Sequence, residues 1–211
     1  MPDCDVRMIV EETLAFHDRF WAAGRGDTAG TLHSVHTKLG QVLPSLLQAV
    51  YTRTSLRQSQ QLHLHGISDV HIVGEYVVFS YEQQACWSYA VSLADSAQDP
   101  PVYSNKSRQD LFSPTGCRLA EFLRHYWIVN RPFEPPCADV ALDTSQLLSW
   151  QPLVFSSPET VLDGYLVKDC YVYFDGMDRL GAPTNTALRI LLEELDELDC
   201  ADLYLLENDS P

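Results

Sequence analysis

An α+β fold is what this sequence predicts: an antiparallel central sheet flanked by helices, followed by a C-terminal α/β extension. Three patterns lead there. Apolar residues recur at helical spacing from Val6 to Tyr51, the texture turns β-branched and aromatic between Gln61 and Leu93, and a leucine-rich helical repeat returns near the end. With 211 residues, 45% hydrophobic and 20% charged, the chain is long enough for a full core. The same figures exclude collagen-like, coiled-coil and wholly disordered classes.

The elements come in this order. Val6, Ile9, Val10, Leu14, Phe20 and Trp21 mark one helix face, ended by Gly24 and Gly26. Leu32, Val35 and Leu39 form a second stripe with Gly40 as its stop. Pro44 sits where a first-turn proline belongs, ahead of Leu46, Leu47, Val50 and Tyr51. Thr52 to Gln61 reads as a polar loop. Strands are expected at 61–65, 70–73, 75–81 and 86–93, the last two as an antiparallel hairpin. Of the aromatics Tyr76, Phe79, Tyr81, Trp87 and Tyr89, Trp87 and most of the others are expected to form the core between sheet and helices; the alternative is that one or two tyrosines on the opposite face serve as interface anchors. Asp99 to Tyr103 predicts only a short edge strand, because prolines cannot donate to a ladder. Leu119 to Trp127 returns to helical spacing.

The proline-rich stretch 131–139 is the expected boundary, giving a domain over 1–130 and an acidic extension over 140–211, packed on that domain or forming a small subdomain. Beyond it come apolar runs at 147–155 and 165–167, a strand over 170–174, a turn at Asp175-Gly176, a helix over 184–198 and a last strand over 201–206.

Charge is the unusual quantity. Twenty-nine acids against fourteen bases leave a net charge of −15. Such a chain repels phosphate backbones and anionic membranes, so nucleic-acid and membrane partners are not expected and a basic protein partner is. Residues 141–211 carry fourteen acids and three bases, and no basic residue follows Arg189. Glu193, Glu194, Asp196, Glu197, Asp199 and Asp202, continued by Glu207 and Asp209, are therefore the leading candidates for partner binding; Glu82, Asp95 and Asp99 from the central sheet come second. Acids at a helix C-terminus are unfavourable by about 0.3–1 kcal/mol. They are either a solvated face screened by salt or a patch that steers a cationic partner.

Catalytic and metal chemistry find little footing. The six cysteines fall singly with no C-x-x-C pair and read as reduced thiols. His33 and His36, and His63, His65 and His71, lack a carboxylate at metal-ligand spacing, so no metal and no cofactor is expected. There is no nucleophile elbow, Walker loop or dinucleotide fingerprint, and no catalytic residue is assigned. An acidic start without an apolar h-region predicts a cytoplasmic chain.

The middle of the chain resembles the SUKH superfamily, the SMI/KNR-like proteins best known as bacterial immunity proteins. The resemblance covers about residues 35–130. It rests on Leu39-Gly40 and Leu43-Pro44, then Val77-Val78-Phe79 with Glu82, then the strand Trp87 to Val91, the turn Asp99 to Tyr103, and Phe122-Leu123. The chain departs from the pattern in lacking a glycine-rich turn over 52–61, and residues beyond Asp139 match nothing in it. The resemblance implies a SUKH-like antiparallel sheet with flanking helices and a binding role without shared catalytic residues. The expected function is a cytoplasmic immunity protein that neutralises a cognate toxin or effector by occluding its basic active-site cleft, a nuclease or nucleotide-directed toxin fitting best. The alternative is a non-catalytic SUKH-like adaptor for a host protein.

Overall fold

The computed structural model describes residues 2–21, 29–54, 62–82, 84–95, 97–106, 111–133, 135–147, 150–156, 161–168, 171–174 and 178–205. The expected turn at Asp175-Gly176, Cys170, Glu207 and Asp209 lie outside them. The fold is α+β with antiparallel sheets flanked by helices. The chain forms two compact units, Met1–His17 with Ala23–Tyr126, and Asp18–Ala22 with Trp127–Pro211.

The first unit holds α1 (Pro2–Phe20, its last three residues counted with the second unit), α2 (Ala29–Leu39) and α3 (Ser45–Arg53). Six strands come next: β1 (Leu62–Leu64), β2 (His71–Val73), β3 (Tyr76–Glu82), β4 (Trp87–Ser92), β5 (Pro101–Lys106) and β6 (Ser113–Arg118). Then comes α4 (Leu119–Asn130), which runs into the second unit. Gly40 stops α2 as expected, by a Schellman motif. At φ +66° it donates to Thr37 O, and Gln41 N–H reaches back to His36 O at 3.2 Å.

The sheet runs β1-β3-β4-β5-β6, antiparallel throughout, and β2 shares the β3 edge with β1. β1 pairs with Ser80 to Glu82 and β2 with Tyr76 to Val78, so one seven-residue strand serves two short ones. The two-residue turn between β2 and β3 begins with Gly74 at φ +60°, the sign such a hairpin needs there. Leu46, Leu47, Val50 and Tyr51 of α3 are fully buried, as are Phe79, Val102, Leu119 and Leu123. Each such aliphatic side chain stabilises by about 1.5–3 kcal/mol relative to exposure.

Two expectations in this unit need correction. Asp99 to Tyr103 leads not into an edge strand but into an interior one, paired with both β4 and β6. Pro101 is the first strand residue and the register to β6 shifts beside it, which places the missing donor at the one position a sheet tolerates. Nor are the aromatics a single core. Phe79 is buried and, like Tyr89, packs on Phe122 of α4, but Trp87 is only half-buried, with the Lys106 ammonium 5.6 Å from its ring centre.

The second unit has its own six-stranded antiparallel sheet. Its elements are β7 (Cys137–Asp139), α5 (Thr144–Leu147), β8 (Gln151–Ser156), β9 (Val161–Val167), β10 (Tyr171–Phe174), β11 (Arg179–Gly181), α6 (Asn185–Glu194) and β12 (Asp202–Tyr204), in the sheet order β12-β7-β11-β10-β9-β8. Leu188, Leu191 and Leu192 of α6 pack on Ala138, Val140, Tyr171, Tyr173 and Leu180. The described residues of 131–139, the stretch expected as the boundary, are packed. Arg131 is 1% exposed, donates to Pro136 O at 2.9 Å and Phe20 O at 3.3 Å, and lies 4.4 Å over the Trp21 ring. Prolines signal a break in secondary structure but not exposure, and here the guanidinium's hydrogen bonds hold the turn inside.

Candidate functional site

The acidic stretch is built by α6, the turn after it and β12. Thr184 caps the helix, its hydroxyl accepting from Ala187 N–H at 3.1 Å. The leucines face the core, so Glu193 and Glu194 face solvent. The helix ends sooner than the expected 198. Its last helical residue is Glu194, and Asp196 occupies the left-handed position of a Schellman motif at φ +61°, with Glu197 N–H donating to Leu192 O at 2.8 Å. Asp196 and Glu197 are therefore not on the helix, and Glu197 does not stack over Glu193 on one helix face.

Asp196, Asp199 and Asp202 are exposed and Glu197 is half-buried, accepting from Gln146 Nε2 at 3.2 Å. The carboxylates thus run from the end of α6 through a turn to β12, the end strand of its sheet.

The three bases of residues 141–211 decide how much of that charge survives. Lys168 pairs with Glu194 in an exposed contact, which contributes little. Arg179 is taken up by Asp139, its Nε donating to Oδ1 at 2.6 Å and a terminal nitrogen lying 3.4 Å from Oδ2. Tyr204 OH donates to the same Oδ2 at 3.1 Å, and the guanidinium lies 5.6 Å from the Phe133 ring centre and 5.4 Å from that of Tyr204. The Arg179 hydrogen bond, helped by Tyr204, holds the Asp139 carboxyl below the usual range, and Asp139 in turn raises both partners. Asp139, Asp202 and Arg179 stand in register across β12, β7 and β11, so this one cation is committed to the inner carboxylate while Asp202 faces solvent. Arg189 lies exposed on α6.

The second-choice acids are each tied to a different local task. Glu82 Oε2 accepts from Cys86 N–H at 3.4 Å, closing the β3–β4 turn. Asp95 Oδ1 accepts from Ala97 N–H at 2.8 Å in the loop after β4. Asp99 reaches across to α4, its Oδ1 accepting from Ala120 N–H at 2.7 Å, while Arg118 donates to its carbonyl. Asp99 is thus a cap supplied from outside the helix, a role that no local pattern reveals. Asp95 lines a cleft of about 400 Å³ between the α2–α3 turn and the loop after β4. Sequence reasoning did not single out this cleft, because its two walls are about fifty residues apart.

The histidines pack with aromatics. His63 stacks on Tyr81 at 4.9 Å between ring centres, and His65 lies 4.8 Å from Tyr81 and 5.3 Å from His71. Burial lowers the pKa of His63 and His65. Among the described residues no group of three or more His, Cys, Asp or Glu side chains is arranged to hold a metal ion. Among them, too, no helix is long and apolar enough to cross a membrane.

No protein-family model, curated protein or solved structure matches this chain.

Proposed function

We propose that this protein is a SUKH-like immunity protein that works in the cytoplasm, binding and neutralising a cognate toxin or effector without chemistry of its own. Its acidic face lies over a basic active-site cleft and keeps the true, anionic substrate out. A nuclease or nucleotide-directed toxin fits best, since enzymes that act on phosphates present such clefts. The observation that carries this reading is the exposed run of Glu193, Glu194, Asp196, Asp199 and Asp202, leading from α6 to an end strand with Arg179 committed elsewhere. Complementary charge of this kind raises the association rate more than it adds affinity.

Co-expression with the products of neighbouring genes, followed by pull-down, identifies the partner. Reversing Glu193, Glu194, Glu197 and Asp199 to lysine then slows association by at least about tenfold, with an unchanged circular dichroism spectrum. An unchanged association rate removes the acidic face from the mechanism. Turnover of a small molecule by the purified protein overturns the reading altogether.

A further inference from the structure

The cleft in the first unit has a chemistry separate from the acidic face. Its floor is Val77 and Val91, 3% and 1% exposed, and its mouth carries Val42, 65% exposed. At about 400 Å³ it falls within the range of small-ligand sites.

The polar groups around it are arranged with one bias. Gln41 spends one amide N–H on Leu93 O at 3.0 Å, which ties one wall to the other, and Gln48 spends one on Leu43 O at 2.7 Å within its own wall. Both amide oxygens remain as acceptors. Asp95 receives the Ala97 N–H on one oxygen, and a carboxylate has about four acceptor sites in all. Among the described residues lining the cleft there is no Lys, Arg or His, so Asp95 has no cation within the cleft wall. The amino end of α3 opens on the same space with Pro44 as its N-cap residue, but it supplies only about half a positive charge against the full negative charge of Asp95. The balance attracts a cation.

We infer that this cleft binds a guanidinium or primary ammonium group carried on an apolar stem, the head group on Asp95 and the stem against Val42 and the valine floor. A buried-stem, charged-head side chain is how arginine and lysine settle on surfaces of this kind. The head group brings the positive charge that no side chain of the cleft supplies, and its N–H groups donate to the Asp95 carboxylate. This site is independent of the acidic-face reading, since its residues and its probes are different.

The test is a nuclear magnetic resonance titration of the isotope-labelled full chain with N-acetyl-arginine amide, agmatine, and N-acetyl-citrulline amide as the neutral isostere. Both cations give saturable shifts at Gln41 and at Leu93 to Gln98 with millimolar dissociation constants, and citrulline binds about tenfold more weakly or not at all. Asp95→Asn, which keeps an oxygen for Ala97 N–H, lowers the cation affinity about tenfold. Val42→Arg, at an exposed position, places a cation in the mouth and abolishes probe binding. Tighter binding of the amide-flanked probe identifies an arginine on a protein as the natural guest, and tighter binding of agmatine identifies a free organic cation. Absence of saturable shifts at these residues, or equal binding of citrulline, overturns the inference.

Discussion

Asp139 joins three strands through its side chain alone. It accepts from Arg179 on β11 and from Tyr204 on β12 while standing in β7, and its pKa is lowered chiefly by the Arg179 hydrogen bond. A carboxyl with a depressed folded pKa contributes stability that is full above its unfolded value of about 3.9 and is lost as pH falls through the folded value. Asp139→Asn therefore lowers stability at neutral pH by about 1 kcal/mol, a figure kept small because the pair is partly exposed. Thermal melts at neutral pH and at about pH 3 show the gap between the two proteins closing in acid; a gap of equal size at both sinks the assignment. Asp196 makes the opposite case. It occupies a left-handed backbone position, φ +61°, at the negative end of α6. Asp196→Gly relieves both penalties and raises stability by about 1 kcal/mol, read from the denaturant midpoint. If the acidic face docks the partner, the same variant slows association.

Helix starts among the described residues are held both locally and from a distance. α6 carries its own cap in Thr184, whereas α4 borrows Asp99, which lies 21 residues ahead of the amide it caps. Asp99→Ala lowers stability by about 1 kcal/mol, while Asp99→Asn, which keeps an acceptor, recovers most of it. Chemical denaturation distinguishes them, and equal losses in both variants show that the charge matters rather than the cap. β11 has a steric condition as well. A Cβ at Gly181 would lie 2.6 Å from the Arg131 carbonyl oxygen, so Gly181→Ala forces backbone apart and destabilises by more than the roughly 1 kcal/mol that glycine replacement ordinarily returns. An unchanged melting temperature would show that the strand shifts freely. The helices α2, α3 and α6, and strands β3, β4 and β10, were legible because each shows its own period and its own stop. β6, β7 and β11 were not. Ser113 to Arg118 has neither alternation nor β-branched density, and β7 and β11 are three residues each, too short for a period to show.

At the scale of the molecule the governing quantity is charge. With a net charge of −15, the proposed association with a cationic partner would be steered from beyond contact distance, and salt would screen that steering over about 10 Å at 0.1 M. Raising ionic strength from low to moderate lowers the stopped-flow association rate several-fold while leaving the dissociation rate nearly unchanged. A salt-insensitive rate points instead to an apolar interface.

The class of fold and the sign of the surface were readable from residues alone, because side-chain period and charge count are local, additive properties of a chain. Which carboxylates remain available was not. Asp99 became a cap, Asp139 took Arg179, Asp196 left the helix, and Asp95 came to line a cleft with residues about fifty positions away. Each of these depends on a hydrogen-bond partner or a wall supplied by another element, and only the packing of strands and helices decides which partner arrives.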